Sequence, residues 1–258
     1  MKYAAYDIEW QPEKMQYLPF AIEASATVAI RLEIDIFERY SSAYWDEHLD
    51  QIFAVMALTP QHTYQVLTKH PERMLEYFTG DRSAMVAFAV SEITHRFWGT
   101  QASPTIKLSA LPLLNAWLGV TCEDQRTADD RIPLLLKTPA AVRFLSCEPL
   151  LEDLYLNLEE NGKHPDYDWG IDWVIAGGES GHKGRFCDIT WIRSIVDQCE
   201  SAGVPCFVKQ LGSSPVVGMN GDHPIFYSRA TGKGNDPEEW PEDLRVREFP
   251  PSRFVEAV

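Results

Sequence analysis

WVIAGGESGHKGR, residues 173–185, opens as an apolar run and switches at once to Gly177, Gly178, Glu179, Ser180 and Gly181. Four apolar residues bounded by glycine read as a buried strand. The glycine-rich continuation reads as a loop in which the main chain can adopt positive φ and let a ligand approach closely. Glu179 puts a carboxylate at the carboxyl end of that strand. A tight turn would explain one such loop standing alone. The same event recurs along the chain, and that recurrence decides the fold class.

Upstream, the β-branched run 26–34 predicts a strand ending at Asp35, and 62–67 a strand ending at Thr68 and Lys69. Residues 115–120 predict a strand ending at Thr121, Cys122 and Glu123, and 142–145 one ending at Ser146, Cys147 and Glu148. Downstream, 204–208 predicts a strand ending at Lys209 and Gln210. Helical spacing separates them. Trp45 to Leu58 carries Leu49, Ile52, Phe53 and Met56, and Pro71 opens a helix to about Phe78. Ser83 to Phe97 offers Met85, Phe88, Ala89 and Ile93 as a core face. Ala128 to Lys137 offers Ile132, Leu135 and Leu136. Thr190 is placed as the cap of a helix to Ala202, with Ile192, Ile195, Val196 and Cys199 inward and Gly203 as the stop. Strand and helix alternate without a hairpin signal. That predicts α/β architecture with a mostly parallel sheet, either a (β/α) barrel or an open doubly wound sheet. Residues 99–111 and 159–169 read as polar loops, and 212–258 as loops and short pieces covering one end of the sheet.

The 258 residues are 45% hydrophobic and 24% charged, which suits one large α/β domain or two small ones. A formal charge of −15 opposes sequence-independent binding to a phosphate backbone. No stretch has the make-up of a secretory signal or a membrane span, so a cytoplasmic protein is expected. The five cysteines, Cys122, Cys147, Cys187, Cys199 and Cys206, are odd in number and irregular in spacing. Neither a disulfide framework nor a CxxC metal motif follows from them. His62, His70 and His95 lack the spacing of metal ligands.

In parallel α/β folds, ligands sit at the carboxyl ends of the strands. Every strand here ends in a polar or ionisable group. Glu123, Glu148 and Glu179 are the candidate acid–base residues. Gly177, Gly178, Ser180, Lys69, Lys209 and Gln210 are the candidate ligand-binding residues. No metal ligand is assigned. Structural pairing of a lysine with Glu123 or Glu148 is the alternative for the charged members, and a small buried hydrophobe is the reading of Cys122 and Cys147.

Several long strings carry a resemblance: TPQHTYQVLTKHPERM (59–74), WLGVTCEDQRTADDRIPLLLKTPAAVRFLSCEPLL (117–151), DWVIAGGESG (172–181), VDQCESAGVPCFVKQLG (196–212) and DPEEWPEDLRVREFP (236–250). Over roughly residues 34–250 the chain resembles the phage Gp37/Gp68 family, also described as DUF5131. That resemblance implies a single domain over 1–258 built as a partial (β/α) TIM-like barrel of the radical-SAM type, with 1–33 a divergent segment. It also implies S-adenosylmethionine and a [4Fe–4S] cluster. The family's cysteine motif has no counterpart here, because residues 1–33 contain no cysteine, so the ligands of the cluster cannot be placed. The expected protein is a homologue that keeps a small-molecule pocket and holds no cluster. An enzyme working through the strand-end carboxylates, and a protein-binding scaffold of a phage or mobile element, are the alternatives.

Overall fold

In a computed structural model, residues 29–31, 35–38, 42–98, 111–161, 170–220, 223–227 and 234–251 are described. The expected loop at 99–110, most of that at 159–169, and the ends of the strand at 26–34 lie outside them. The chain divides into two compact units, residues 1–119 with 137–142, and residues 120–136 with 143–258.

In the first unit the elements are β1 (Ala29–Arg31), α1 (Ser42–Leu58), β2 (Thr63–Thr68), α2 (Pro71–Thr79), α3 (Ser83–Trp98) and the start of β3 (Ala116–Thr121). The strands are neighbours in the order β1-β2-β3. β1 runs parallel to β2, with Ala29 beside Thr63 and Arg31 beside Gln65. α2 begins at Pro71 because the first helical turn needs no donor from that residue. The apolar stripe of α1 is buried as its spacing predicts, through Leu49, Ile52, Phe53 and Met56. Phe53 stacks on Tyr77 at 5.3 Å between ring centroids and meets Phe78 edge-on at 5.2 Å. Around that aromatic core, Arg82 pairs with Asp50, Arg73 with Asp46, and the Tyr77 hydroxyl donates to Asp50 at 3.0 Å. Asn115, just before β3, donates to the carbonyls of Met56, Thr59 and His62, and so caps the end of α1.

α3 corrects one expectation. Met85 and Phe88 are 48% and 62% exposed, while the face turned inward is Val86, Ala89, Val90 and Ile93. Two apolar stripes compete on this helix, and the sequence pattern alone does not choose between them.

In the second unit β3 ends, and α4 (Gln125–Lys137), β4 (Arg143–Cys147), α5 (Leu158–Asn161), β5 (Trp173–Gly177), β6 (Phe186–Asp188), α6 (Ile189–Ala202), β7 (Cys206–Gln210), β8 (Ser214–Asn220) and β9 (His223–Phe226) follow. β3, β4, β5 and β7 are neighbours in that order. β4, β5 and β7 pair in parallel. The amide of Leu118 donates to Val142 and that of Cys122 to Ser146, so β3 and β4 advance together and are parallel as well. The chain is therefore a mixed α/β protein with a mostly parallel sheet. Among the described residues no helix is long and apolar enough to cross a membrane.

Three features of this unit depart from the sequence reading. Asp188, not Thr190, caps α6, and its carboxylate accepts from the Thr190 amide at 2.9 Å. Within 212–258, read as loops and short pieces, β8 and β9 join β6 in a separate three-stranded sheet of order β6-β8-β9 that the sequence reading did not foresee. The last described residues do not cap an end of the sheet. They lie along the free edge of β7, where Val208 donates to Val246 and Glu248 to Cys206. Trp173 donates its indole N–H to the Glu248 carbonyl at 2.9 Å and packs on Phe249 at 5.5 Å, which closes an edge that would otherwise invite pairing. The extended segment at Leu154–Leu156 is held by two glutamines acting as strand substitutes. Gln198 bonds Leu156 N and Leu154 O, and Gln125 bonds Tyr155 N and O.

His62 sets a pH dependence. It is 0% exposed, its Nδ1 has no partner among the described residues, and burial lowers its pKa from 6.5. The folded chain holds it neutral while the unfolded chain takes up a proton below its ordinary pKa. Its contribution to stability is complete above pH 6.5 and is lost as pH falls below it, by at most about 1.4 kcal/mol per pH unit. Urea unfolding followed from pH 7 to pH 5 should show a shallower decline for His62→Gln than for the natural chain. Equal slopes would remove His62 from that account.

Candidate ligand site

The site in the second unit grows from the contact between the end of β5 and the end of β7. Ala176 pairs with Val208 but Gly177 pairs with Gln210, so Lys209 is an extra residue in the ladder. Gly178 donates its amide to the Gln210 carbonyl at 3.0 Å. A Cβ on Gly177 would lie 3.0 Å from the Gln210 oxygen, and one on Gly178 2.9 Å from the Leu211 carbonyl carbon. A Cβ on Gly212, which sits at φ +88°, would in turn lie 2.9 Å from the Gly178 backbone. The room that glycine leaves here is filled by the β7 backbone, so packing by itself requires Gly177 and Gly178. Leu150 donates to the Gly177 carbonyl and Leu151 to that of Glu123, which ties the exits of β3, β4 and β5 together.

Two charged groupings stand on this frame. In the first, Lys209 Nζ lies 3.0 and 2.9 Å from the two oxygens of Glu148. Gln210 Nε2 donates to Glu148 Oε1 at 2.7 Å and to the Gly178 carbonyl at 3.2 Å. The Glu148 side chain is 10% exposed and that of Lys209 41%, so the carboxylate is the sunken member and the ammonium the exposed one. In the second, Arg185 grips Glu179 with Nε at 2.8 Å and Nη2 at 3.1 Å, and adds its own backbone amide at 2.9 Å. Those bonds hold the Glu179 carboxyl down at about 2. Glu179 is thus ionised throughout the neutral range, and this arrangement makes it an anchored charge rather than a proton donor. The Glu179 carbonyl accepts from the amide and hydroxyl of Ser213 at 2.8 and 3.1 Å. Glu123 lies close enough for its charge to help raise the pKa of Arg185.

The structure therefore brings Glu148, Lys209 and Gln210 into contact, and places Glu123 and Glu179 around Arg185. Ser180 is exposed beside them. Lys69 belongs to the first unit, where its amide and the Thr68 hydroxyl both donate to the carboxylate of Asp35, at 2.7 and 2.6 Å. Arg185 was not singled out from the sequence. The signal was present as a cation six residues after Glu179 in a glycine-rich loop, the length that lets a loop fold back on its own strand end.

The five thiols are the donors the chain could offer an iron–sulfur cluster. All five are buried and free. Burial pushes Cys122 and Cys187 up to about 12 and Cys147 well above its ordinary value. The Cys199 thiol is raised by its hydrogen bond with Cys206 and then by burial. Among the described residues, no three His, Cys, Asp or Glu side chains are grouped to hold a metal ion. Cluster ligation needs converging thiolates, and these thiols do not fit it.

Fold and site together define an α/β protein with a mostly parallel sheet and a polar, charge-paired constellation at the strand exits. The chain belongs to the DUF5131 family, described as a protein of unknown function, whose family model matches residues 2–241. No curated protein matches it. No solved structure matches it.

Two outcomes follow. Lys209→Met leaves the sunken Glu148 carboxylate without its cation and should destabilise the chain by about 1–3 kcal/mol, the lower part of that range reflecting the exposure of Lys209. Adding Glu148→Gln should recover most of the loss in a double-mutant cycle; additive losses would mean that the pair is not coupled. Thiol labelling at pH 8 should be slow in the native protein and reach all five cysteines only after denaturation. A cysteine that labels at the rate of a free thiol in the native chain would contradict the buried placement.

Proposed function

We propose that this chain is a Gp37/Gp68-like phage protein, a partial (β/α) barrel of the radical-SAM type that binds a small polar ligand at its strand ends and carries no cluster of its own. The single observation behind this reading is Glu148. Its carboxylate is sunk at the end of β4, clasped by Lys209 from a register shift and by Gln210, whose amide also bonds the glycine loop. A carboxylate held by two donors on a rigid frame is a pre-organised acceptor for a ligand's polar head. The neighbouring Arg185 supplies a cation with an exposed side chain, and Glu123 and Glu179 supply charges of the opposite sign. Membership of the DUF5131 family supports the reading, and S-adenosylmethionine is the ligand that the family resemblance suggests.

Thermal unfolding tests it. A ligand that binds only the native chain adds about 2.7 kcal/mol at a hundred times its Kd, so Tm should rise with S-adenosylmethionine. The rise should shrink in Glu148→Gln, each variant being compared with its own ligand-free Tm. No shift with S-adenosylmethionine, S-adenosylhomocysteine or adenosine would reject the reading.

A further inference from the structure

β6 pairs with Ser214, Pro215 and Val216 of β8 and goes no further. Beyond Val216 the described residues of β8 and β9 form a two-stranded antiparallel ribbon, with Met219 beside Pro224 and Asn220 beside His223. On that ribbon Val217 is 43% exposed, Met219 50%, Ile225 47% and Phe226 63%. Residues 214–226 contain one formally charged residue, Asp222. A two-stranded ribbon is marginally stable by itself, and since successive strand residues alternate in direction, Ile225 and Phe226 leave apolar surface exposed on both of its faces.

Two observations choose the occupant. Each copy of the chain carries a formal charge of −15, which sets copies against one another and favours a partner of opposite charge. The ladder is also broken where another strand would add. The register shifts between Val216 and Met219, Gly218 sits at φ +129°, and Pro224 lacks an amide donor. Strand-to-strand pairing is thereby discouraged, and burial of the side chains remains.

We propose that the β8–β9 ribbon inserts into an apolar cleft, rimmed by Lys and Arg, on a different protein. The exposed apolar side chains of the ribbon fill such a cleft, and the net negative charge of the chain suits its basic rim. This does not depend on a ligand at the strand ends.

The intact chain is titrated against a fluorescent peptide of alternating Leu and Lys, and against a matched peptide of Leu and Glu. The Leu–Lys peptide should bind, more weakly as salt rises, and the Leu–Glu peptide should not. Met219→Ser/Phe226→Ser should weaken binding at least about tenfold and leave Tm unchanged, because both side chains face solvent. Binding of both peptides alike, equal binding by variant and natural chain, or no binding by the natural chain overturns the proposal. So does a large fall in Tm, which would assign these side chains to the chain's own core. A dimer of the natural chain in light scattering that the variant dissolves would make a second copy the occupant and overturn it too.

Discussion

The backbone-to-backbone contact between Gly177–Gly178 and Gln210–Leu211–Gly212 is the constraint on which the rest of the second unit depends. Main chains approach this closely only where neither carries a Cβ in the way. The same contact accompanies the shift in register that leaves Lys209 unpaired in the ladder. From that position its ammonium reaches Glu148, and Gln210 bonds both Glu148 and the glycine loop. An alanine at Gly178 would push β7 away and disturb the charged grouping together with the packing.

Around that contact the carboxylates are placed in different surroundings. Glu148 is sunk and held by a lysine and an amide, whereas Glu179 is half-exposed and held by a bidentate arginine. The arginine explains why Glu179 stays ionised far below neutral pH. Burial pushes the thiols of Cys122, Cys147 and Cys187 the other way, because it penalises the charged thiolate. One sheet thus presents a fixed set of charges at its exits and inert sulfur in its body.

The free edge of β7 shows how a parallel sheet is finished. Residues 246–249 run along it, with Arg247 over the ring of Phe207 at 5.1 Å and over that of Trp240 at 5.3 Å. Trp173 and Phe249 complete an aromatic layer on the same strands. That finish comes from a stretch of proline and charged residues whose local pattern reads as loop, because its order is imposed by the strand it lies against.

The alternation of apolar runs with helical spacing was sufficient to read the strands of the mostly parallel sheet and the longer helices, since periodicity is a local property of the chain, but not the three strands of the second sheet. It also located Glu148, Lys209 and Gln210, because polar residues that follow an apolar run must stand at a strand's exit. What lay beyond it were matters of partnership. Val86, Ala89, Val90 and Ile93 won the inward face of α3 over Met85 and Phe88 through what packs against that helix. Asp188 took the cap from Thr190 through one turn of backbone. Arg185 closed on Glu179, and β8 found β6 across α6. Sequence determines what each segment can become by itself. Which segments meet, and which side chains neutralise one another there, is decided by contacts between residues far apart in the chain, and those exist only in the folded state.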